Sequence, residues 1–373
     1  MRRIYPYFTL TLLVLLSTLI LWLPFLLKSE SWFGLKINHP SFDYVYRHYD
    51  GPLYIIPAKT LYNFQSLEIG IPPKYFAAHL PGYPLLIRAV REIGGFRDLG
   101  YLKSMISVNL LATIGLALFF YFFLKKFKLT KKPLLLASIF LFLPRFLVVR
   151  SVGAPESLFI LLILSSIYFF EKKSYLLAGL LGGLATMTKS PGVLLFAGYC
   201  LVLVERLIKL KKVNYRWLAI LLIPLGLLAV FGLYWRQMGD FFAYFKSGDN
   251  IHLVFPFSVF NFQKPWVGTA WLEDVVFYFF LYGLVVISLK NNKYRSFFYF
   301  SLIFFIAAIF IQHRDISRYS LPLWPMALVA YEKFFTSKKF LIISIIMLLA
   351  VYLYAWNFMI YNVMPIADWR PFL

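Results

Sequence analysis

Charge is scarce in this chain. Asp, Glu, Lys and Arg make up 14% of its 373 residues, where soluble domains carry roughly 25%. A water-soluble globular domain is thereby excluded. Cysteine is scarcer still. Cys200 stands alone in an apolar run, so no internal disulfide can form and cysteine usage says nothing about redox compartment. No cluster of His and Cys offers zinc-ligand spacing. No pair of aspartates one residue apart suggests a metal-dependent nucleotide-sugar site. No metal site and no cofactor are therefore expected, with a divalent-ion requirement left open. Internal repeats and low-complexity segments are absent as well.

What the chain has instead is apolar length. Hydrophobic residues account for 61% of it and aromatics for 20%. A membrane span needs about 20 mainly apolar residues, fewer when packed inside a bundle. On that criterion spans are expected at about 7–27, 103–124, 133–149, 156–170, 175–188, 192–208, 217–235, 273–289, 296–312, 319–335 and 340–360. The fold class is an all-α polytopic membrane protein of about 11 transmembrane helices, forming a single domain over residues 1–373. The pairs 133–170 and 175–208 each read as two short helices broken at a Pro-containing turn. Arg2 and Arg3 before the first apolar stretch resemble a signal peptide. No small-residue cleavage site follows, so the stretch reads as a retained first helix.

The net charge of +22 is a topology signal. With the N-terminus inside, one face collects Arg2, Arg3 and the loops 125–132, 171–174, 205–216, 290–295 and 332–339. These hold 20 basic and 3 acidic residues; the other face holds 18 basic and 13 acidic over far more sequence. The basic face is cytoplasmic by the positive-inside rule, and nucleic acid is not an expected partner. The expected location is the plasma (cytoplasmic) membrane. Two long loops, 28–102 and 236–272, then lie outside. Asp43, Asp50, His79, Glu156, Lys189, Asp240, Arg314 and Arg318 all fall on that outer face. Ionisable groups gathered beside hydrocarbon mark a substrate path by default.

The first outer loop has helical periodicity of its own. Residues 84–96 carry apolar side chains at 85, 86, 89, 90 and 93, with Arg88, Arg91 and Glu92 off the stripe. That spacing predicts an amphipathic helix along the membrane surface. A second short amphipathic surface helix is expected at 52–63, with Pro52 near its start and Pro57 as a break.

Asp50, in the run His48-Tyr49-Asp50-Gly51-Pro52, is a carboxylate beside two basic residues. It suits either a proton acceptor for a sugar hydroxyl or an N-cap of the helix at Pro52. Asp43 is the second carboxylate, for assistance or hydroxyl binding, or simply a solvated loop residue. Lys189 and Arg318 sit at outer ends of spans. They suit binding of a phosphate leaving group or snorkelling to the interface. Arg314 and Arg150 are weaker candidates for the same task. His79 is either a donor to phosphate or a structural histidine in a Pro-rich turn. Glu273 and Asp274 open a helix, where the dipole favours acids. Glu156 does so too, after Pro155.

These segments resemble a family. The run 47–59 (RHYDGPLYIIPAK) looks like the W-D segment in the first luminal loop of the GPI-anchor mannosyltransferases of the second-mannose type. Residues 76–90 (FAAHLPGYPLLIRAV) are similar to their A-F-F-P-L-Y-P-L-L-I-R segment. Residues 141–162 (LFLPRFLVVRSVGAPESLFILL), 185–195 (ATMTKSPGVLL), 239–255 (GDFFAYFKSGDNIHLVF) and 317–332 (SRYSLPLWPMALVAYE) resemble four further segments, in the family's order. The wider group is the GT-C superfamily, with the protein O-mannosyltransferases more distant. The chain departs at Tyr49, where the family has tryptophan, at His79, Leu80 and Gly82, at Lys189 for arginine, and at Ala154 and Pro155.

The resemblance implies an inverting glycosyltransferase using a polyprenyl-phosphate sugar donor, a hexose such as mannose. Asp50 matches the acidic base, assisted by Asp43. Lys189, Arg318, Glu156, Asp240 and Tyr83 match donor- and substrate-binding positions, with His79 and Arg314 beside them. The implied partners are the lipid bilayer, the lipid-linked donor and a glycan, lipid or protein acceptor. Two other classes stay open: a lipid-linked sugar transporter or flippase, whose broken helices would line a midplane site, and a non-catalytic subunit.

Overall fold

The computed structural model describes residues 4–64, 70–93, 100–248, 253–260, 272–313, 315–365 and 368–372. It is helical almost throughout. Helix α1 (Tyr5–Leu26) opens with Pro6 in its first turn, where the missing N–H costs nothing. A two-residue hairpin, β1 (Ser31–Trp32) against β2 (Leu35–Lys36), begins the first long loop. The loop continues with α2 (Asp43–Tyr46), α3 (Gly51–Thr60), a 3-10 turn at Pro73–Ala78 and α4 (Gly82–Ile93). Then follow α5 (Gly100–Lys126), α6 (Pro133–Leu141), α7 (Pro144–Val149), α8 (Glu156–Glu171), α9 (Tyr175–Thr188), α10 (Leu194–Leu210) and α11 (Leu222–Met238). The last third comprises α12 (Leu272–Leu289), α13 (Arg295–Ile309), α14 (Ile316–Tyr319), α15 (Trp324–Ala330), α16 (Glu332–Phe335), α17 (Lys338–Ile346) and α18 (Leu348–Tyr361).

Among the described residues, four helices are long and apolar enough to cross a membrane: Tyr5–Leu26, Gly100–Lys126, Tyr215–Met238 and Leu272–Leu289. A fifth candidate is α17 with α18, bent by 47°. The other expected spans are shorter or interrupted helices. The break expected between 149 and 156 falls before Pro155, and the one expected near 189 is a 3-10 turn at Ser190–Val193 containing Pro191. A further break divides 133–149. Pro144 forces Leu143 into extended geometry (ψ 127°), so α6 stops and α7 restarts. Prolines 322 and 325 likewise divide 319–335 into α14, a 3-10 turn, α15 and α16.

Two expectations for the first loop need correction. Pro57 does not break α3, which runs on to Thr60. A proline inside a helix costs about 3 kcal/mol, but every residue from Gly51 to Ala58 is buried, and that packing outweighs the cost. For the same reason α3 is not an amphipathic surface helix. Helix α4 is amphipathic. Tyr83 and Ile87 are buried while Leu85 and Leu86 are exposed. Arg88 turns back to donate to the carbonyls of Ala58 and Lys59, at the C-terminus of α3.

The described chain divides into two compact units. The first comprises Met1–Leu161, Val230–Gly248 and Lys333–Leu373; the second comprises Leu162–Ala229 and Asp249–Glu332. In the first, polar side chains tie helices to backbone carbonyls that hydrocarbon would leave unmet. The buried Arg150 guanidinium donates to the Leu141 carbonyl at 3.0 Å, Thr18 Oγ1 at 2.8 Å and Ser17 Oγ at 2.7 Å. Asn109 donates to the carbonyls of Val149 and Val152. Trp22 donates to Ser151, and Trp356 to Leu21.

In the second unit, small residues let backbones touch, the packing mode favoured between membrane helices. A Cβ on Gly183 would lie 2.7 Å from the Leu222 carbonyl oxygen, and one on Gly226 only 2.6 Å from that of Gly183. One end of this unit gathers charge. Glu171 pairs with Arg206 and accepts the Ser296 N–H, while Glu205 pairs with Arg295 and Lys209. These residues come from three of the basic loops. In the first unit Lys132 donates to the Thr336 carbonyl, joining the other two described basic loops.

Candidate functional site

The Asp50 segment is built by backbone contact with distant chain. The His48 backbone bridges to Val363, the Tyr49 N–H donates to the Asn362 carbonyl, and the Met364 N–H donates to the Arg47 carbonyl at 2.7 Å. Residues 362–364 thus run beside 47–49 like a strap. Arg47 lies over the Trp369 ring at 5.3 Å. Tyr49 takes a left-handed backbone, φ 48°, a conformation that costs a residue with a Cβ roughly 1–2 kcal/mol.

Asp50 stands at the N-cap of α3, as its sequence context suggests. Its side chain makes no capping hydrogen bond, and its carbonyl accepts the Leu53 N–H instead. Asp50 as a residue is half-buried. Gly51 follows, and a Cβ there would lie 2.8 Å from the Gly153 carbonyl oxygen. No other residue fits at this approach. The Asp50 turn therefore abuts the turn that leads into α8 and Glu156.

Glu156 is buried in the first turn of α8. Tyr83, from α4, reaches the same place. Its hydroxyl donates to the Met105 carbonyl at 2.9 Å and meets the Ala154 backbone. Burial, then the nearby Glu156 carboxylate, push that hydroxyl well above the ordinary phenol range. His79 is buried with Tyr54 edge-on to its ring at 4.8 Å, and its carbonyl accepts the Tyr62 hydroxyl. Tyr54 in turn sits edge-on to Tyr83 at 5.2 Å. Four predicted positions, Asp50, Glu156, Tyr83 and His79, thus belong to one continuous packed region of the first unit.

Two other predicted positions in this unit have local roles. Asp43 is exposed at the start of α2, beside Tyr46, whose hydroxyl is raised chiefly by burial and secondarily by this carboxylate. Asp240 accepts the Phe242 N–H, closing a turn after α11, and pairs with Lys246 at 2.9 Å and Lys74 at 3.2 Å. The Lys246 hydrogen bond, assisted by Lys74, holds the Asp240 carboxyl below the ordinary carboxylate range.

In the second unit Lys189 reaches the helix that carries Arg318. Lys189 leaves α9 in an extended conformation (φ −146°, ψ 134°). Its ammonium lies over the Tyr319 ring at 5.8 Å, and Tyr319 follows Arg318 in α14. Arg318 is buried. The surrounding polar residues escaped the sequence reading. His313 Nδ1 accepts the Asp315 N–H at 2.9 Å, so a neutral imidazole there carries its proton on Nε2. The His313 ring is edge-on to Tyr319 at 5.0 Å, and buried Asp315 accepts the Ser317 hydroxyl. A usable signal was present: the run from His313 to Arg318 concentrates polar residues between apolar helices. Arg314 lies outside the described residues.

A second residue missed by sequence reading is Arg145, at the start of α7. It donates to the Tyr49 hydroxyl at 2.5 Å and lies 4.0 Å from the Phe358 ring centroid. Among the described residues no three His, Cys, Asp or Glu side chains group as a metal site. Chemically, the first unit offers carboxylates beside phenols and the second offers cations beside phenols. No known family model and no curated protein matches this chain.

Proposed function

We propose that the chain is an inverting membrane glycosyltransferase with about 11 spans. It moves a hexose from a polyprenyl-phosphate donor to an acceptor hydroxyl on the extracytoplasmic face. Asp50 accepts the acceptor's hydroxyl proton as that oxygen attacks the sugar C1 from the face opposite the phosphate. The C1–O bond to phosphate breaks with its electron pair, and Lys189 and Arg318 stabilise the departing phosphate. Glu156 and Tyr83 hold sugar or acceptor hydroxyls. The basic loops that group at one end of each unit face the cytoplasm in this reading.

One observation carries the proposal. Segments chosen separately by sequence resemblance are neighbours in space: Gly51 against Gly153 and Tyr83 against Ala154 in the first unit, Lys189 against Tyr319 in the second. Their proximity within each unit supports the resemblance.

The test uses purified protein in lipid, labelled polyprenyl-phosphate mannose or glucose, and a membrane-lipid extract as acceptor. Wild type is expected to transfer sugar, and Asp50→Asn to lose about a hundredfold or more in rate. Full activity in Asp50→Asn would remove the base assignment. Failure of the wild type with every polyprenyl-phosphate sugar would remove the enzyme class.

A further inference from the structure

Tyr49, immediately before the candidate base, is held from three directions. Its backbone N–H is taken by the Asn362 carbonyl at 3.2 Å. Its ring packs against His48 at 4.4 Å and Phe358 at 5.5 Å. Its hydroxyl accepts from Arg145 Nη1 at 2.5 Å, and the Arg145 guanidinium lies against Phe358. His48, fully buried, bridges to Val363 on the preceding side. A left-handed non-glycine residue persists only where its surroundings over-determine it, and here they do. The consequence falls on the next residue. Fixing the Tyr49 backbone fixes the direction in which Asp50 leaves the chain, on a turn already pressed against Gly153.

From this geometry we infer that Arg145, Tyr49 and Phe358 form a positioning clamp for Asp50. The far C-terminal helix α18 and its following strap thereby belong to the catalytic apparatus. The inference rests on the proposed function, with Asp50 as base. It also accounts for the departure at Tyr49. The resembled segment has tryptophan there, and an indole N–H only donates. It cannot accept from a guanidinium, whereas a phenol oxygen can.

The clamp orients a group that reacts; it does not itself touch substrate. Loosening it lowers the rate of the chemical step and leaves substrate binding alone. The experiment measures kcat and KM for transfer in wild type, Tyr49→Phe, Arg145→Gln and the double variant, with a melting curve for each to verify folding. Both single variants are expected to lose about tenfold or more in kcat with KM within about twofold, and the double variant to lose no more than either single one. Arg145→Lys is expected to recover part of the rate in the Tyr49 background and none with Phe at that position. Transfer by wild type with unchanged kcat in folded single variants overturns the clamp and leaves the functional reading standing. Multiplicative losses in the double variant also overturn it, because independent effects would mean no pair. Absence of transfer in folded wild type overturns both.

Discussion

The first unit is tied by donors reaching for carbonyls, and the second is seated on glycines. Arg150, Asn109, Trp22 and Trp356 each cross between elements to meet a backbone oxygen. Between α9 and the helix through Ile223, by contrast, the contact is backbone on backbone at Gly183 and Gly226. The difference follows the chemistry each unit carries. The first contains a long polar loop with its own helices, so many backbone groups need partners away from water. In the second, α9 and α11 are apolar helices, and close approach at glycine adds to their adhesion. Asp50 and Glu156 lie in the first unit, Lys189 and Arg318 in the second.

This contrast breaks most visibly at a glycine. Replacing Gly183 with leucine places a side chain where 2.7 Å separates a Cβ from the Leu222 oxygen. Overpacking a tight site typically costs roughly 1–3 kcal/mol, and occasionally more; here the obstructing atom is backbone, which puts the cost at the upper end. The Gly183→Leu protein is expected to melt far below wild type in detergent or to be recovered only as aggregate. Wild-type melting in this variant would show that the second unit is not held by backbone proximity.

A smaller loss is expected from the corresponding feature of the first unit. Arg150→Met removes three hydrogen bonds to a buried guanidinium. Each such bond is worth about 1.5–3 kcal/mol, but methionine also relieves the burial of an ion, so the net loss is about 2 kcal/mol. The melting temperature should fall while Asp50-dependent transfer persists in the protein that remains folded. Complete loss of transfer at a temperature where the variant is folded would move Arg150 from tether to site.

The two units also differ in how legible they were. Helix positions could be read because apolar length and proline placement are local properties, and Pro155 and Pro191 divide helices where expected. Pro144 was overlooked because, Arg145 apart, the residues from 134 to 149 are almost all apolar and the pattern reads straight through the proline. Asp50, Glu156 and Tyr83 were found because the motifs around them stand out from apolar surroundings. Their meeting was not legible, since it depends on Gly51 approaching Gly153 across about a hundred residues. Arg145 was invisible for a similar reason. Its partners, Tyr49 and Phe358, lie far from it in sequence on either side. Pro57 shows the opposite failure, a local rule overridden by burial of α3.

The smallest effect separates two aspartates of the first unit, Asp50 and Asp240. Asp240 closes its own turn and holds Lys246 and Lys74 at the surface, where exposed ion pairs contribute little and are screened by salt. Its folded-state pKa is depressed, first by the Lys246 hydrogen bond. Whatever stability the carboxylate contributes is therefore present above the ordinary aspartate value, near pH 3.9, and is lost as the pH falls below it through the depressed folded value. Asp240→Asn is expected to melt slightly below wild type at neutral pH and low salt. That gap should narrow in high salt and close at the acid end of the window. Transfer should stay within about twofold of wild type, since these lysines already engage the carboxylate and it serves a turn. A loss of transfer as large as that expected of Asp50→Asn, with an unchanged melt, would instead make the turn after α11 part of the reacting site and erase the distinction between the two aspartates.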